Sequence, residues 1–152
     1  MALDPSVIGT EVPEARMLVE RGRLRLFCKA IGETDPVYLD VDAARAAGHP
    51  DLPVPPTFLC SIQNERPDPL DWLPAIGVDP LRVLHGEQSC VYHAVAHARD
   101  ELTVRGRLTD LTVKKNGHLE LLTRESVVTD GEGNTVAELR DTVVVRHPEV
   151  VR

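Results

Sequence analysis

From Arg82 onward the chain is organised as four runs of strand character separated by turn signals, over residues 82–95, 101–113, 118–129 and 135–147. In the second run Leu102, Val104, Gly106 and Leu108 alternate with Thr103, Arg105, Arg107 and Thr109. Successive side chains of a strand point to opposite faces, so this alternation predicts a half-buried strand with one apolar face. Asn116-Gly117 and Asp130-Gly131-Glu132-Gly133 supply residues that tolerate positive φ, and each predicts a hairpin connection. Consecutive hairpins make an antiparallel meander, and its apolar face must be covered. Cover has to come from the N-terminal half, which reads as helix and loop. Helices packed on one face of an antiparallel sheet define an α+β fold.

In that half, Leu24, Phe27 and Ile31 recur at helical spacing and predict an amphipathic helix over Arg21–Ile31, ended at Gly32. Residues 42–48 predict a short helix started by Asp42 and stopped by Gly48. The proline-rich stretch 50–56 leads as extended chain into a further helix over 56–64, whose first turn tolerates proline and whose Phe58, Leu59 and Ile62 are expected to be buried. A chain of 152 residues suits one domain spanning 1–152. Its formal charge of −7 argues against a nucleic-acid partner, which needs a concentrated basic surface. No apolar run approaches the ~20 residues of a membrane span. The start Met1-Ala2-Leu3-Asp4-Pro5 lacks the basic-then-apolar layout of a secretory signal, so a cytoplasmic location is expected. Cys28, Cys60 and Cys90 are odd in number and far apart, which points to small buried hydrophobes and away from a disulfide framework or a zinc site.

The segment Gly32-Glu33-Thr34-Asp35-Pro36-Val37-Tyr38 resembles the hydratase motif of MaoC-like (R)-specific enoyl-thioester hydratases and 3-hydroxyacyl-thioester dehydratases, Gly-Asp-any-Asn-Pro-aliphatic-His. Gly32, Pro36 and Val37 match, whereas Glu33 stands for the catalytic Asp, Asp35 for Asn and Tyr38 for the catalytic His. The order of later segments resembles the family too. Ala43–Gly48 followed by Pro55-Pro56-Thr57-Phe58 is similar to the approach to the family's central helix. Leu84-His85-Gly86-Glu87-Gln88 is similar to the next strand of N-terminal half-domains and non-catalytic subunits. Asp100-Glu101-Leu102 resembles the family's Gly-Asp-any-Leu turn with Arg99 for its Gly, and Ala94-Val95 replaces a common Arg-Pro pair. The resemblance implies a hot-dog fold, a curved antiparallel sheet wrapped around a central α-helix.

In active members the His and Asp act as base and acid, and backbone N–H groups at a helix start polarise the thioester carbonyl. Glu33 keeps the carboxyl on a longer stem, and a misplacement of about 1 Å can cost on the order of 10²-fold. Tyr38 is the harder exchange: a phenol with pKa about 10 has only about one molecule in 10³ ionised at pH 7, and no cluster of cations adjoins it. His85 is the alternative imidazole, or else an ordinary strand-anchoring histidine. The resemblance makes Glu33 and His85 the candidate catalytic pair, and Asp35, Tyr38, Pro55, Pro56, Thr57, Phe58 and Gly86 the candidate substrate-binding positions. His93 and His97 would share a face of a strand or a helix but lack a third ligand, so neither metal nor cofactor is expected. His49, His118 and His147 fall near turns or an end, where solvent exposure is expected. Arg21, Arg25 and Lys29 form a basic stripe, fit for the phosphates of coenzyme A or an acidic acyl carrier protein, and equally for plain solvation. Trp72, between Pro69 and Pro74, either covers an acyl tunnel or packs under a loop.

What the resemblance implies is a pseudo-catalytic, acyl-binding subunit of a 3-hydroxyacyl-thioester dehydratase or enoyl-thioester hydratase. Its partner would be a catalytic MaoC-like subunit with the intact Asp and His. Three other readings stay open: a homodimeric hydratase using Glu33 and His85, a hot-dog acyl-thioester thioesterase, and a non-enzymatic acyl-thioester binding protein.

Overall fold

The computed structural model describes residues 2–147. Its elements run β1 Glu11–Leu18, α1 Arg21–Ile31, α2 Val41–Ala46, a 3-10 helical segment Pro56–Glu65, α3 Trp72–Ala75, β2 Val83–Tyr92, β3 Glu101–Lys114, β4 Leu119–Thr129 and β5 Thr135–Arg146. All strand pairings are antiparallel, in the order β1-β3-β4-β5-β2. The expected hairpins join β3 to β4 and β4 to β5. At the first, Asn116 and Gly117 have φ of 53° and 90°. At the second, the Asp130 carboxylate accepts the N–H groups of Glu132 and Asn134 at 2.9 and 2.8 Å. The meander stops there, because β2 crosses over to pair with β5 on the far side.

β1 is absent from the sequence-based expectation, which has no strand before residue 80. Its alternation is interrupted: Ala15, Met17 and then Val19 face inward, but the register shifts between Val12 and Ala15, around Pro13. An edge strand tolerates such a proline, since one row of its N–H groups faces away from the sheet. Register shifts recur in β2 between His85 and Glu87, in β3 between Leu108 and Asp110, and in β5 at Val136, opposite the step from Val128 to Thr129 of β4. Each extra residue bends its strand and increases local twist, which curves the sheet around its cover.

That cover is the segment Pro56–Glu65, with Phe58, Leu59 and Ile62 buried in one apolar cluster with Met17, Leu102, Val104, Val128 and Leu139. It is wound as a 3-10 helix, not as the expected α-helix. The Phe58 N–H reaches the Pro55 carbonyl at 2.9 Å, and the Ser61 hydroxyl donates to the Phe58 carbonyl at 2.7 Å. Side-chain capture of a backbone acceptor competes with the wider α-helical bond and favours the tighter turn. A second cluster of Trp72, Leu73, Val78, Leu108, Leu122, Val143 and Val145 covers the other part of the sheet.

α1 has the expected bounds and ends at Gly32, with φ 75°. Its buried stripe is Leu24 and Cys28 with Phe27 partly covered, whereas Ile31 is 53% exposed. Cys28, four residues after Leu24, continues the inward face that Ile31 was expected to complete. The Phe27 ring meets that of Phe58 edge-on, with centroids 5.3 Å apart, and so ties α1 to the central segment. α2 is capped by Asp40 and not by Asp42: the Asp40 carboxylate accepts the Ala43 N–H at 2.9 Å. No helix among the described residues is long and apolar enough to cross a membrane.

Candidate functional site

The motif loop begins where α1 ends. Gly32 takes the left-handed conformation that a helix stop requires, and the Glu33 N–H returns to the Cys28 carbonyl at 2.9 Å. Oε1 of Glu33 accepts the N–H groups of Thr34 and Asp35, both at 2.8 Å. Oδ1 of Asp35 accepts the Val37 N–H at 3.0 Å and caps a 3-10 turn over Pro36–Tyr38. From α1, Nε of Arg25 donates to the Leu39 carbonyl at 2.8 Å and fastens the far end of the loop. The loop's carboxylates therefore organise its backbone. Tyr38 is half-buried, without a side-chain hydrogen bond to any described residue.

A second strap is built around Asp51, which is 6% exposed. Its carboxylate takes a two-pronged contact from Arg21 at 2.8 and 2.7 Å and the Leu52 N–H at 2.8 Å, with Nε of Arg99 3.6 Å away. The Arg21 hydrogen bonds, opposed by burial and helped by the Leu52 N–H, hold this carboxyl well below the usual carboxylate range. Arg21 is thus removed from the phosphate-binding stripe, and Arg25 serves the motif loop. Beyond Asp51 the chain pairs with the stretch before β3: Val54 N–H to Ala96 carbonyl and Ala98 N–H to Leu52 carbonyl, both 2.8 Å. This delivers Pro55 and Phe58 into the interior and leaves Pro56 and Thr57 exposed.

His85 and Gly86 lie on β2, where His85 is exposed and no hydrogen bond links it to Glu33. A Cβ on Gly86 would stand 2.7 Å from Cγ2 of Val144 and 3.1 Å from the Thr142 carbonyl, so this glycine is required by the approach of β5. The strand that carries them is itself unusual. Eight of the ten residues of β2 are exposed, Leu84 and Tyr92 among them at 48% and 44%, and its outer edge has no partner strand among the described residues.

The other histidines depart from expectation. His93 faces Glu138 at 3.5 Å, while His97 turns to His49, Nε2 to Nδ1 3.1 Å, so the two do not act together. Burial, reinforced by His49 and opposed by Asp100 and Asp51, lowers the His97 pKa. His147 is not a solvated end residue: its Nε2 lies 2.6 Å from Oε2 of the fully buried Glu120, whose Oε1 accepts the Leu3 N–H at 2.8 Å. Among the described residues no group of three or more histidine, cysteine or acidic side chains is placed to hold a metal. Trp72 is 4% exposed, with the Arg124 guanidinium 5.4 Å from its ring centre, and packs under its loop. Sequence reasoning missed the Arg124–Asp141 ion pair at 2.9 Å, since only the β4–β5 register sets these residues opposite one another. A cleft of about 940 Å³ on the sheet includes Arg105, Arg107, Glu125, Val127, Glu138 and Arg140 in its lining, but neither Glu33, Tyr38 nor His85.

A curved antiparallel sheet around a buried helical segment defines a hot-dog fold, and the helix-terminating loop keeps the outline of the hydratase motif. The chain belongs to the family described as "FAS1-like, dehydratase domain region", whose model matches residues 6–139. It is 41% identical over 147 residues to a UPF0336 protein of Clavibacter michiganensis, covering 96% of this chain and 97% of that one. Among solved structures it is similar to the C-terminally truncated HadBC (3R-hydroxyacyl-ACP dehydratase) complex of Mycobacterium tuberculosis, with TM-score 0.73, 21% identity, and coverage of 93% of this chain and 99% of that one. The MaoC-like dehydratase of Rhodospirillum rubrum aligns with TM-score 0.70 and 21% identity over 98% of this chain and 99% of that one. At these identities the two structures establish the fold.

Proposed function

We propose that this chain is a pseudo-catalytic, acyl-binding subunit of a 3-hydroxyacyl-thioester dehydratase or enoyl-thioester hydratase, working beside a catalytic MaoC-like subunit. The observation that carries this reading is the motif loop. Gly32 stops α1 and Pro36 opens the following turn as the motif's outline asks, yet Tyr38 stands where the motif has its catalytic His, and one oxygen of Glu33 is held by two amides of its own loop. Dehydration needs a base for a weakly acidic C–H and an acid for the departing hydroxyl, and a phenol is a poorer match to the first task than the imidazole it replaces. Both groups would come from the partner's Asp and His. This chain would contribute the motif loop, the Pro55–Phe58 approach and the β2 surface, with the thioester carried by coenzyme A or an acyl carrier protein.

Support for a partner comes from β2, a ten-residue strand with little cover whose outer edge is unpaired among the described residues. A long unpaired edge invites pairing with another chain unless that edge is blocked. HadBC, among the solved structures similar to this chain, is itself a complex. The test is hydration of an enoyl thioester, followed by loss of enoyl absorbance, using the purified chain alone, the catalytic subunit alone, and both together. The reading expects the chain alone to be inactive and the mixture to exceed the catalytic subunit by at least about tenfold. Robust turnover by the chain alone, abolished by Glu33→Gln and by His85→Ala in folded protein, would instead establish the homodimeric hydratase.

A further inference from the structure

Cys60, on the central segment, and Cys90, on β2, are thirty positions apart in sequence, yet their sulfurs lie 3.7 Å apart. Strand register accounts for the meeting. Cys90 pairs with Leu139 of β5, whose buried side chain marks the inner face of the sheet, and Cys60 faces that surface from within the fold. Both cysteines are half-buried, whereas Cys28 is wholly enclosed beneath α1. Two sulfurs in contact need to close by only about 1.7 Å to reach the ~2.05 Å of a disulfide, a movement within reach of side-chain rotation and small backbone shifts.

We propose that Cys60 and Cys90 form a redox-active dithiol that closes to an intrachain disulfide and latches the central segment to β2. The oxidant is a hydroperoxide, hydrogen peroxide in the simplest case. The Cys90 thiolate attacks one peroxide oxygen, the O–O bond breaks and hydroxide leaves, giving a sulfenic acid on Cys90. The Cys60 sulfur then attacks the Cys90 sulfur, the S–O bond breaks and water departs with the Cys60 proton. The balance is two thiols and one peroxide to one disulfide and two waters, with sulfur oxidised and peroxide reduced. The first oxidation is placed on Cys90 because it lies on the sparsely covered β2, whereas Cys60 sits on the central segment packed against the core. The bond would span the gap between the core segment and the least covered strand, coupling the oxidation state to the surface that β2 presents. It does not depend on whether the chain is catalytic.

The full chain is treated with a modest excess of hydrogen peroxide under native conditions, then alkylated in denaturant and digested. The expected result is a Cys60–Cys90 cross-linked peptide, two hydrogens lighter than the sum of its parts, with Cys28 fully alkylated and all three thiols recovered after dithiothreitol. Oxidised wild type should melt on the order of 10 °C above the reduced form, as expected for closing a loop of this length, and Cys90→Ser should show no such shift. Three alkylatable cysteines after treatment, over-oxidation of Cys90 without the cross-link, or a disulfide found only between chains on a non-reducing gel would each overturn the proposal. Cys60→Ser serves as a second variant: both single variants must lose the cross-link while retaining the reduced protein's melting point to within a few degrees.

Discussion

Removing the Arg21–Asp51 pair should loosen the strap that positions the Pro55–Phe58 segment, and its size follows from the geometry. Asp51 is 6% exposed and receives three charge-assisted or backbone donors, at 2.8, 2.7 and 2.8 Å. Breaking a fully buried pair costs about 3–5 kcal/mol. The Arg21 side chain is 31% exposed, so water replaces part of what it loses. Asp51→Ala also strands the Leu52 N–H, and its total cost is expected at about 2–3 kcal/mol, with Arg21→Met destabilising less and the two effects clearly less than additive. Urea unfolding of the two single variants and the double variant measures all three, and Asp51→Ala should melt roughly 4–10 °C below wild type. The pH dependence supplies an independent sign. The folded pKa of Asp51 is depressed, so its contribution is complete above the unfolded value of about 3.9 and is lost as pH falls toward the folded one. The deficit of Asp51→Asn should therefore be largest at pH 6–7 and shrink progressively below about pH 4. A deficit unchanged between pH 7 and pH 3, or a coupling below about 0.3 kcal/mol, would refute the reasoning.

Gly86→Ala must push its new methyl against Val144 and the Thr142 carbonyl, and is expected to lower stability by about 1–3 kcal/mol in urea titration; an unchanged midpoint would mean that β2 shifts freely on β5. Glu120→Ala, which leaves the Leu3 N–H and His147 without their buried acceptor, should cost about 2–3 kcal/mol by the same assay. Tyr38→Phe should leave the rate of the reconstituted two-subunit enzyme within about threefold, because the phenol is not asked to transfer a proton; a fall of 10²-fold or more would make Tyr38 an acid or base after all.

The C-terminal half is the more legible in sequence, because its signals are local. The alternation of Leu102, Val104 and Leu108, and the Asn116-Gly117 and Asp130–Gly133 turns, depend on neighbours within a few residues, and β2 to β5 lie within three residues of their expected bounds. β1 was hidden since Pro13 and a register shift break its period, and its evidence as a strand is its pairing with β3, about ninety residues away. The placement of β2 next to β5 is non-local in the same way. The stop of α1 at Gly32 follows from backbone freedom at one residue, but which face of α1 is buried was settled by the sheet and by Phe58, so Cys28 replaced Ile31.

The motif loop was found by the spacing of Gly32, Glu33, Pro36 and Tyr38. The roles of its side chains came only with the fold, where Glu33 and Asp35 cap their own backbone and Arg25 fastens the exit at Leu39. Arg21 could not be assigned from its place in a basic stripe, because its partner Asp51 lies thirty residues on. Likewise three scattered cysteines carry no sign of a pair; the contact of Cys60 with Cys90 arises from seating the central segment on the inner face of β2. Sequence alone determined where the strands and turns after residue 80 fall and which family motif the chain resembles, since short-range sterics and hydrophobic periodicity set these. Only tertiary structure decided which charges pair, which sulfurs touch and which strand stays uncovered, because those depend on register and packing between segments far apart in the chain.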